Sequence, residues 1–173
     1  MASVRMGEVA VSRIPSEEII AIGLGSCIGL ALIDRSARVA GLAHIVLPDS
    51  QGMAGPAGKF ADRAVPELVA QMQAAGASNS RLEAVLVGGA RMFALGSGLD
   101  IGARNEASVR GALARLRIRI HATATGGNRG RTVRVGVGEG TVNVQEAGGE
   151  RKVLLGARTA GRAPGLRASG ARR

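Results

Sequence analysis

Residues 27–47 decide the fold, and they read CIGLALIDRSARVAGLAHIVL. Two apolar runs, Cys27 to Ile33 and Val39 to Leu47, flank the turn-forming residues DRSA at 34–37. Apolar runs of this length around such a turn are typical of a β-hairpin. Both faces of the hairpin are apolar, so we expect it to be covered on both sides within a layered fold.

The length of the turn determines which residues face each other across this hairpin. If residues 34–37 form a symmetric four-residue loop, Cys27 lies directly opposite His44 on one face, with Cβ atoms roughly 5 Å apart. A slip of one residue would move the two side chains to opposite faces. The hairpin therefore predicts a pair formed by the single cysteine and one of the two histidines of the chain.

The rest of the chain alternates strands with two helices. Apolar residues at helical spacing predict a helix over 59–75, in which Pro66 either causes a kink or marks the start of the regular part. Asn105 is the predicted N-cap of a second helix that ends near Leu116. The remaining predicted strands are 8–11, 82–87, 118–125, 132–137 and 141–145. Strands outnumber helices, which indicates an α+β fold.

Length and cysteine content restrict the class of protein. A chain of 173 residues is expected to form one domain, here residues 1–156. A single cysteine allows no internal disulfide, which suits a reducing compartment. The N-terminal residues lack a signal-peptide pattern, and the apolar stretch 19–33 is too short to cross a bilayer. We therefore expect a cytoplasmic protein without membrane insertion.

The formal net charge of +10 is shared between two parts of the chain. Residues 1–156 hold all 13 acidic residues and 18 of the 23 basic ones, so half of the excess lies in the arginine-rich tail 157–173. This tail has little to bury and is expected to be disordered. Phe60 and Phe93 are the only aromatic residues, too few for the stacking used by single-stranded nucleic-acid binders. Nucleic acid is therefore not an expected partner.

The segment GLGSC, at residues 23–27, combines a thiol with flexible backbone. A lone cysteine in an apolar run is ordinarily a small buried hydrophobe. Here the glycines permit unusual dihedral angles, and amides from Gly25, Ser26 and Cys27 are candidates to stabilise a developing oxyanion. His44 on the facing strand is a candidate base for the thiol. The residues alone leave both interpretations of Cys27 open, core residue and nucleophile.

Other chemistry is less well supported by the sequence. His121 has no constellation around it and is expected to lie at the surface. One cysteine and two separate histidines lack the paired spacing of zinc sites, so we expect no metal. Ile28 occupies the third-glycine position of a dinucleotide-binding loop, which argues against that motif. The loop 126–131 has amides and two arginines that suit an anion, although a glycine-rich connection between strands is the commoner explanation.

Five blocks of sequence occur in a recognisable order between about Gly7 and Val153. They are GLGSC at 23–27, AH at 43–44 with LPDS at 47–50, GGA at 88–90 with MF at 92–93, IGARN at 101–105, and TGGNRGR at 125–131. In this order they resemble the CheD family of chemotaxis proteins, which are chemoreceptor glutamine deamidases. The arginine-rich tail falls outside the resemblance.

The resemblance implies an activity and a fold. Cys27 would be the nucleophile and His44 its base, and the enzyme would convert glutamine side chains of chemoreceptor cytoplasmic domains to glutamate without a cofactor. Hydrolysis of receptor glutamate methyl esters would be a second activity. The implied fold is a helix layer packed on a mixed β-sandwich, similar to the cysteine-hydrolase domains of toxins that deamidate glutamine.

One position departs from the family pattern. The third member of the family's catalytic triad is usually a threonine just before the glycine-rich turn, where this chain has Ala21. An alanine side chain cannot orient an imidazole, so slower catalysis is expected. The alternative function is therefore a catalytically weak regulatory partner of a CheC-type phosphatase that acts on the chemotaxis response regulator.

Overall fold

Two five-stranded sheets and two α-helices form three layers in the part of the chain described by a computed structural model, residues 1–92 and 100–157. The strands are β1 (Ala2–Ser3), β2 (Val9–Ser12), β3 (Glu18–Leu24), β4 (Ile28–Asp34), β5 (Val39–Ile45), β6 (Glu83–Gly88), β7 (Arg119–Thr125), β8 (Arg131–Gly136), β9 (Thr141–Glu146) and β10 (Arg151–Leu155). The helices are α1 (Ala61–Ala74) and α2 (Ile101–Arg115).

The strands divide into a central and an outer sheet. The central sheet has the order β2-β5-β4-β6-β7, and the outer sheet has the order β1-β3-β8-β9-β10. Both are mixed, because β6 pairs parallel with β7 and β1 pairs parallel with β3. The helices pack on one face of the central sheet and the outer sheet packs on the other. This arrangement confirms the predicted α+β fold with a helix layer on mixed sheets.

The hairpin β4–β5 lies in the middle of these layers, because its two faces are both apolar. On one face, Ile28, Leu30 and Leu32 pack among the helix residues. On the other face, Ala31 and Ile33 pack among residues of the outer sheet. The residues of both strands are buried throughout, which confirms the prediction that the hairpin is covered on both sides.

The predicted register of this hairpin was wrong by two residues. Gly29, not Cys27, pairs with His44, and Asp34 pairs with Val39, so the loop is 35–38 rather than 34–37. Asp34 ends β4 because its buried carboxylate accepts hydrogen bonds from two amides of the loop, each 3.1 Å long. A shift of two residues leaves every side chain on its predicted face.

The predicted start of the second helix was also wrong. Helix α2 begins at Ile101, and the Asp100 carboxylate caps it by accepting a 3.0 Å hydrogen bond from the amide of Ala103. Asn105 therefore lies inside the helix, fully buried, and not at its N-cap. Aspartate and asparagine are both good caps, and the chain offers one of each five residues apart.

Other predicted elements agree with the structure within a few residues. Helix α1 continues through Pro66, and β8 and β9 form the predicted second hairpin. Three strands lie outside the prediction. Strand β3 falls within the apolar run 19–33, of which only the part from Cys27 was predicted as a strand, and β1 and β10 have no predicted counterpart. The tail prediction for 157–173 lies almost wholly outside the described residues. Neither helix of the described ranges is long and apolar enough to cross a membrane.

Asp34 links the hairpin loop to the segment before β6. Its carboxylate also accepts a 2.8 Å hydrogen bond from the amide of Ser78 and forms a 2.8 Å ion pair with Arg81. Burial alone would raise the pKa of this carboxyl, but the bonds from Arg81, Ser78 and Ala37 outweigh burial and lower the pKa. The charged form is therefore the stabilised one.

We predict that Asp34→Ala lowers the free energy of unfolding by about 2–3 kcal/mol, because it leaves Arg81 and three partly buried amides without their acceptor. Chemical denaturation measures this change. Arg110→Ala, which removes the more exposed ion pair with Glu106, should cost less than about 0.5 kcal/mol. Since the folded pKa is lowered, the Asp34 contribution is present above the ordinary aspartate pKa and is lost as pH falls through the folded value. Equal losses in the two variants would contradict the prediction.

Candidate active site

Cys27 and His44 face the same layer of the structure. Cys27 immediately precedes β4, and His44 is the penultimate residue of β5, directly opposite Gly29. Cys27 is therefore a diagonal neighbour of His44 rather than its direct partner, with Cβ atoms expected roughly 7 Å apart or less. Both lie on the face that packs against the outer sheet, since Cys27 belongs to that apolar cluster. The predicted shared face is present, and the predicted direct opposition is not.

The imidazole of His44 is held in one tautomer by a main-chain carbonyl. The side chain is buried, and Nδ1 lies 3.3 Å from the carbonyl oxygen of Val4. A carbonyl oxygen can only accept, so Nδ1 carries the proton and Nε2 carries the free electron pair. Nε2 is buried and has no hydrogen-bond partner among the described residues. The ring is thus arranged as an acceptor for a proton from a neighbouring group.

The N-terminal segment brings Val4 to this position. The amide of Val4 donates to Ile20 in β3, which extends the short parallel pairing of β1. Further along, the amide of Gly7 donates to the His44 carbonyl, and the His44 amide donates to Glu8. The segment therefore binds His44 from both its main chain and its side chain. This contact cannot be predicted from the sequence, because a backbone carbonyl has no residue-specific signal.

Ala21 lies fully buried in the outer sheet, where it pairs with Val133. It has no polar side-chain atom to offer an imidazole. Among the described residues, the Val4 carbonyl is the hydrogen-bond partner of the His44 side chain. The orienting group that the sequence did not reveal is therefore part of the main chain.

Burial sets the protonation of the pair. Burial lowers the pKa of His44, and the hydrogen bond to Val4 and the charge of Glu8 offset this only in part. Burial raises the pKa of the Cys27 thiol, and its own backbone amide offsets this only in part. Both shifts favour neutral groups near pH 7. The resting pair is a thiol and a neutral imidazole, not a thiolate and an imidazolium.

The turn before the thiol is fixed through its carbonyl groups. Three successive carbonyl oxygens each accept one hydrogen bond from another segment: Gly25 from the amide of Ala90 (2.8 Å), Ser26 from Asn105 Nδ2 (2.9 Å), and Cys27 from the amide of Gly89 (2.8 Å). In a trans peptide the N–H points away from the C=O of the same unit. The amides of Ser26 and Cys27 are therefore directed away from the segments that hold the turn.

The amide of Gly25 has a different task from the two that follow. It donates a 2.9 Å hydrogen bond to the carbonyl of Gly23. The backbone of Gly23 has a φ of +75°, a conformation that favours glycine. Gly25 thus supports the turn, while the amides of Ser26 and Cys27 donate to no backbone carbonyl within the described residues. These two amides are the candidates for binding an oxyanion.

Gly88 allows β6 to approach the thiol turn closely. A Cβ at this position would lie 2.2 Å from the Cys27 carbonyl oxygen, and the φ of +111° disfavours any side chain. The Gly88 carbonyl in turn accepts from the amide of Gly126 and from the buried guanidinium of Arg131. The glycine-rich segments at 23–27, 88–89 and 126–131 are therefore joined by hydrogen bonds next to Cys27.

The contacts of Arg131 favour the structural explanation of the loop 126–131. Its guanidinium pairs with Glu146 at 2.8 Å and also donates to the Gly126 carbonyl at 2.7 Å. It is therefore already occupied by protein acceptors. His121 lies on β7 with its side chain partly exposed beside Glu83, as expected for a surface histidine. Within residues 1–92 and 100–157, no three histidine, cysteine or acidic side chains form a cluster suited to a metal ion.

Comparisons with known proteins identify the family to which the chain is similar. The family model described as CheD chemotactic sensory transduction matches residues 46–146. A probable chemoreceptor glutamine deamidase CheD of Symbiobacterium thermophilum is 46% identical over 154 residues, which cover 86% of this chain and 93% of the relative. The chemoreceptor glutamine deamidase CheD of Thermotoga maritima is 42% identical over 150 residues, which cover 87% of this chain and 94% of the relative.

We predict that iodoacetamide alkylates Cys27 with an apparent pKa above that of the same thiol in denaturant, because burial disfavours the thiolate. The measurement is the alkylation rate against pH, followed by mass spectrometry. Cys27 is the single cysteine, so the signal has one source. An apparent pKa below that of the denatured chain would instead show a preformed thiolate.

Proposed function

This chain belongs to the CheD family, and from that membership we propose that it is a chemoreceptor glutamine deamidase. Its substrates are glutamine side chains in the cytoplasmic domains of chemoreceptors, which places the enzyme in the cytoplasm. The observation that carries the proposal is the tautomer of His44, whose unpartnered Nε2 lies in the layer that also holds the Cys27 thiol. A neutral thiol and a neutral base on the same face of the hairpin suit nucleophilic attack on an amide.

The reaction proceeds through a thioester in two halves. Cys27 Sγ attacks the side-chain amide carbon of glutamine as the thiol proton passes to His44 Nε2. That proton then passes to the amide nitrogen, the C–N bond breaks, and ammonia leaves. Water attacks the thioester while His44 Nε2 accepts its proton. The C–S bond then breaks as His44 returns that proton to Cys27 Sγ, which gives the free thiol and the side-chain carboxyl group of glutamate. Every proton transfer is made by one imidazole, so no cofactor is required.

The tetrahedral intermediates carry a negative oxygen that needs hydrogen-bond donors. The amides of Ser26 and Cys27 point away from the segments that hold the turn, and they supply these donors. Because the turn is fixed before substrate binds, the donors require little reorganisation during the reaction.

The Val4 carbonyl performs the orienting task for which this chain has no side chain at position 21. It fixes the Nδ1–H tautomer and stabilises the imidazolium formed after proton transfer. A neutral carbonyl stabilises that cation less than a carboxylate does, so catalysis is slower than in a triad with a charged third member, and is not lost.

The same geometry suits hydrolysis of glutamate methyl esters. The thiol attack, the oxyanion of the tetrahedral intermediate and the thioester are the same as for an amide, and methanol leaves in place of ammonia. We therefore propose that the protein also hydrolyses receptor glutamate methyl esters. The shared thioester route is also the basis on which we infer a relation to the cysteine-hydrolase domains of glutamine-deamidating toxins.

A second candidate function is regulatory binding to a CheC-type phosphatase, with little catalysis. The observation that favours it is the alanine at position 21, which leaves His44 without a side-chain partner among the described residues. Activity on a receptor fragment separates the two functions.

We predict that the purified protein converts specific glutamines of a chemoreceptor cytoplasmic fragment to glutamate, as read by peptide mass spectrometry. Cys27→Ala should abolish conversion, because no other thiol is present. Activity in the alanine variant equal to wild type would sink the thiol mechanism. No conversion by wild type, with phosphatase binding intact, would favour the regulatory function.

We predict that deletion of residues 2–6, which leaves no residue at the position of Val4, lowers kcat for deamidation by about 10- to 100-fold, because the imidazole loses its orienting carbonyl. Val4→Ala is the matched control, since it removes the side chain and keeps the carbonyl, and its kcat should stay within about 3-fold of wild type. Thermal melts confirm that both variants are folded. A deletion variant as active as Val4→Ala would exclude this role of the N-terminal segment.

A further inference from the structure

Asn105 makes two hydrogen bonds that join the thiol turn to the histidine strand. The side chain is fully buried in α2, and its Nδ2 donates at 2.9 Å to the carbonyl of Ser26 and at 2.9 Å to the carbonyl of Val46. Both acceptors are carbonyl oxygens, so the nitrogen of the amide must face them. Its Oδ1 has no partner among the described residues. The contacts of Asn105 are thus made by its donor end.

The bond to Ser26 fixes one particular peptide plane. The Ser26 carbonyl and the Cys27 amide belong to the same trans unit, so holding the carbonyl on the α2 side directs the Cys27 N–H to the opposite side. The bond to Val46 holds the chain two residues after His44. One buried side chain therefore sets both the direction of a proposed oxyanion donor and the position of the strand end beside the base.

The surroundings of Asn105 make a purely packing role a poor explanation. The other buried residues of α2 are Gly102, Val109, Ala112 and Leu113, so within this helix Asn105 is the one buried polar side chain. Burying an amide costs free energy unless its hydrogen bonds are made, and here half of the amide is left without a partner. An apolar residue would avoid that cost but could not hold the two carbonyls.

We propose that Asn105 is a positioning residue that aims the Cys27 amide at the oxyanion of the tetrahedral intermediate. The proposal rests on the thiol chemistry of the proposed function. It assigns to Asn105 a role in transition-state stabilisation and not in substrate binding, so its loss should lower kcat and leave KM nearly unchanged.

Two small reagents separate this role from a structural one, because they react with the same thiol by different routes. With 4-nitrophenyl acetate, Cys27 Sγ attacks the ester carbonyl, an oxyanion forms, the thiol proton passes to His44, and 4-nitrophenolate leaves. With iodoacetamide, Sγ displaces iodide from carbon and no oxyanion forms. The ratio of the two rates reports the oxyanion donors and does not require a receptor substrate.

We expect Asn105→Asp and Asn105→Ala to slow acylation by 4-nitrophenyl acetate about 10- to 100-fold and to change iodoacetamide alkylation less than about 3-fold. The aspartate variant keeps the shape of the side chain, and the alanine variant removes both donors without adding a carboxyl group. Rates are measured at a temperature at which melts show each variant to be folded. On the receptor fragment, both variants should show the same fall in kcat.

Asn79→Asp is the matched control. Asn79 Nδ2 also donates a 2.8 Å hydrogen bond to a carbonyl, that of Leu116 at the opposite end of α2, so its loss affects stability without reaching the thiol turn. Its two rates should match those of wild type. Equal slowing of both reagents in the Asn105 variants, or no slowing of acylation, would overturn the proposal. A changed rate ratio in a protein that converts no receptor glutamine would overturn the proposed substrate alone and leave the role of Asn105 in place.

Discussion

The site depends on one constraint: three successive carbonyl groups, those of Gly25, Ser26 and Cys27, each accept a hydrogen bond from another segment of the chain. A short glycine-containing turn has many accessible conformations, and each external bond removes some of them. The donors come from the loop after β6 and from α2, which are distant in sequence. The tertiary fold, and not the local sequence, therefore determines the direction of the amides beside the thiol.

The second determinant is the low polarity of the layer between the sheets. It keeps both the thiol and the imidazole neutral, so the charge of the reacting pair develops only during the reaction. The arrangement has a direct use in a protein with a single free cysteine, because a neutral thiol is the less reactive form toward oxidants and electrophiles. Selectivity for a bound amide then comes from the oriented base and the fixed amides.

The parts of the fold that could be predicted from the sequence are those fixed by the alternation of side chains along a strand. The two apolar faces of the hairpin were enough to predict layers on both sides of it, and hence Cys27 and His44 on a common face. The predicted register was wrong by two residues because Asp34, a residue typical of turns, instead ends β4. Its carboxylate accepts from two loop amides and is also held by Ser78 and Arg81, which are far away in the chain. Asn105 was misassigned because an asparagine before an apolar helical pattern resembles a cap, and its two acceptors become neighbours only in the folded chain. Val4 was missed because every residue has a carbonyl.

The use of a main-chain carbonyl to orient His44 has a consequence for how this position tolerates change. Substitutions at residue 4 alter a buried apolar side chain and leave the hydrogen-bonding oxygen in place, so a mutational scan would record only the packing role of Val4, while the chain also relies on its carbonyl. Packing restricts which residues fit at position 4, whereas the carbonyl depends only on the path of the backbone. A functional group of this kind is maintained by the backbone pairing of Val4 with β3, and no residue type in the sequence marks it.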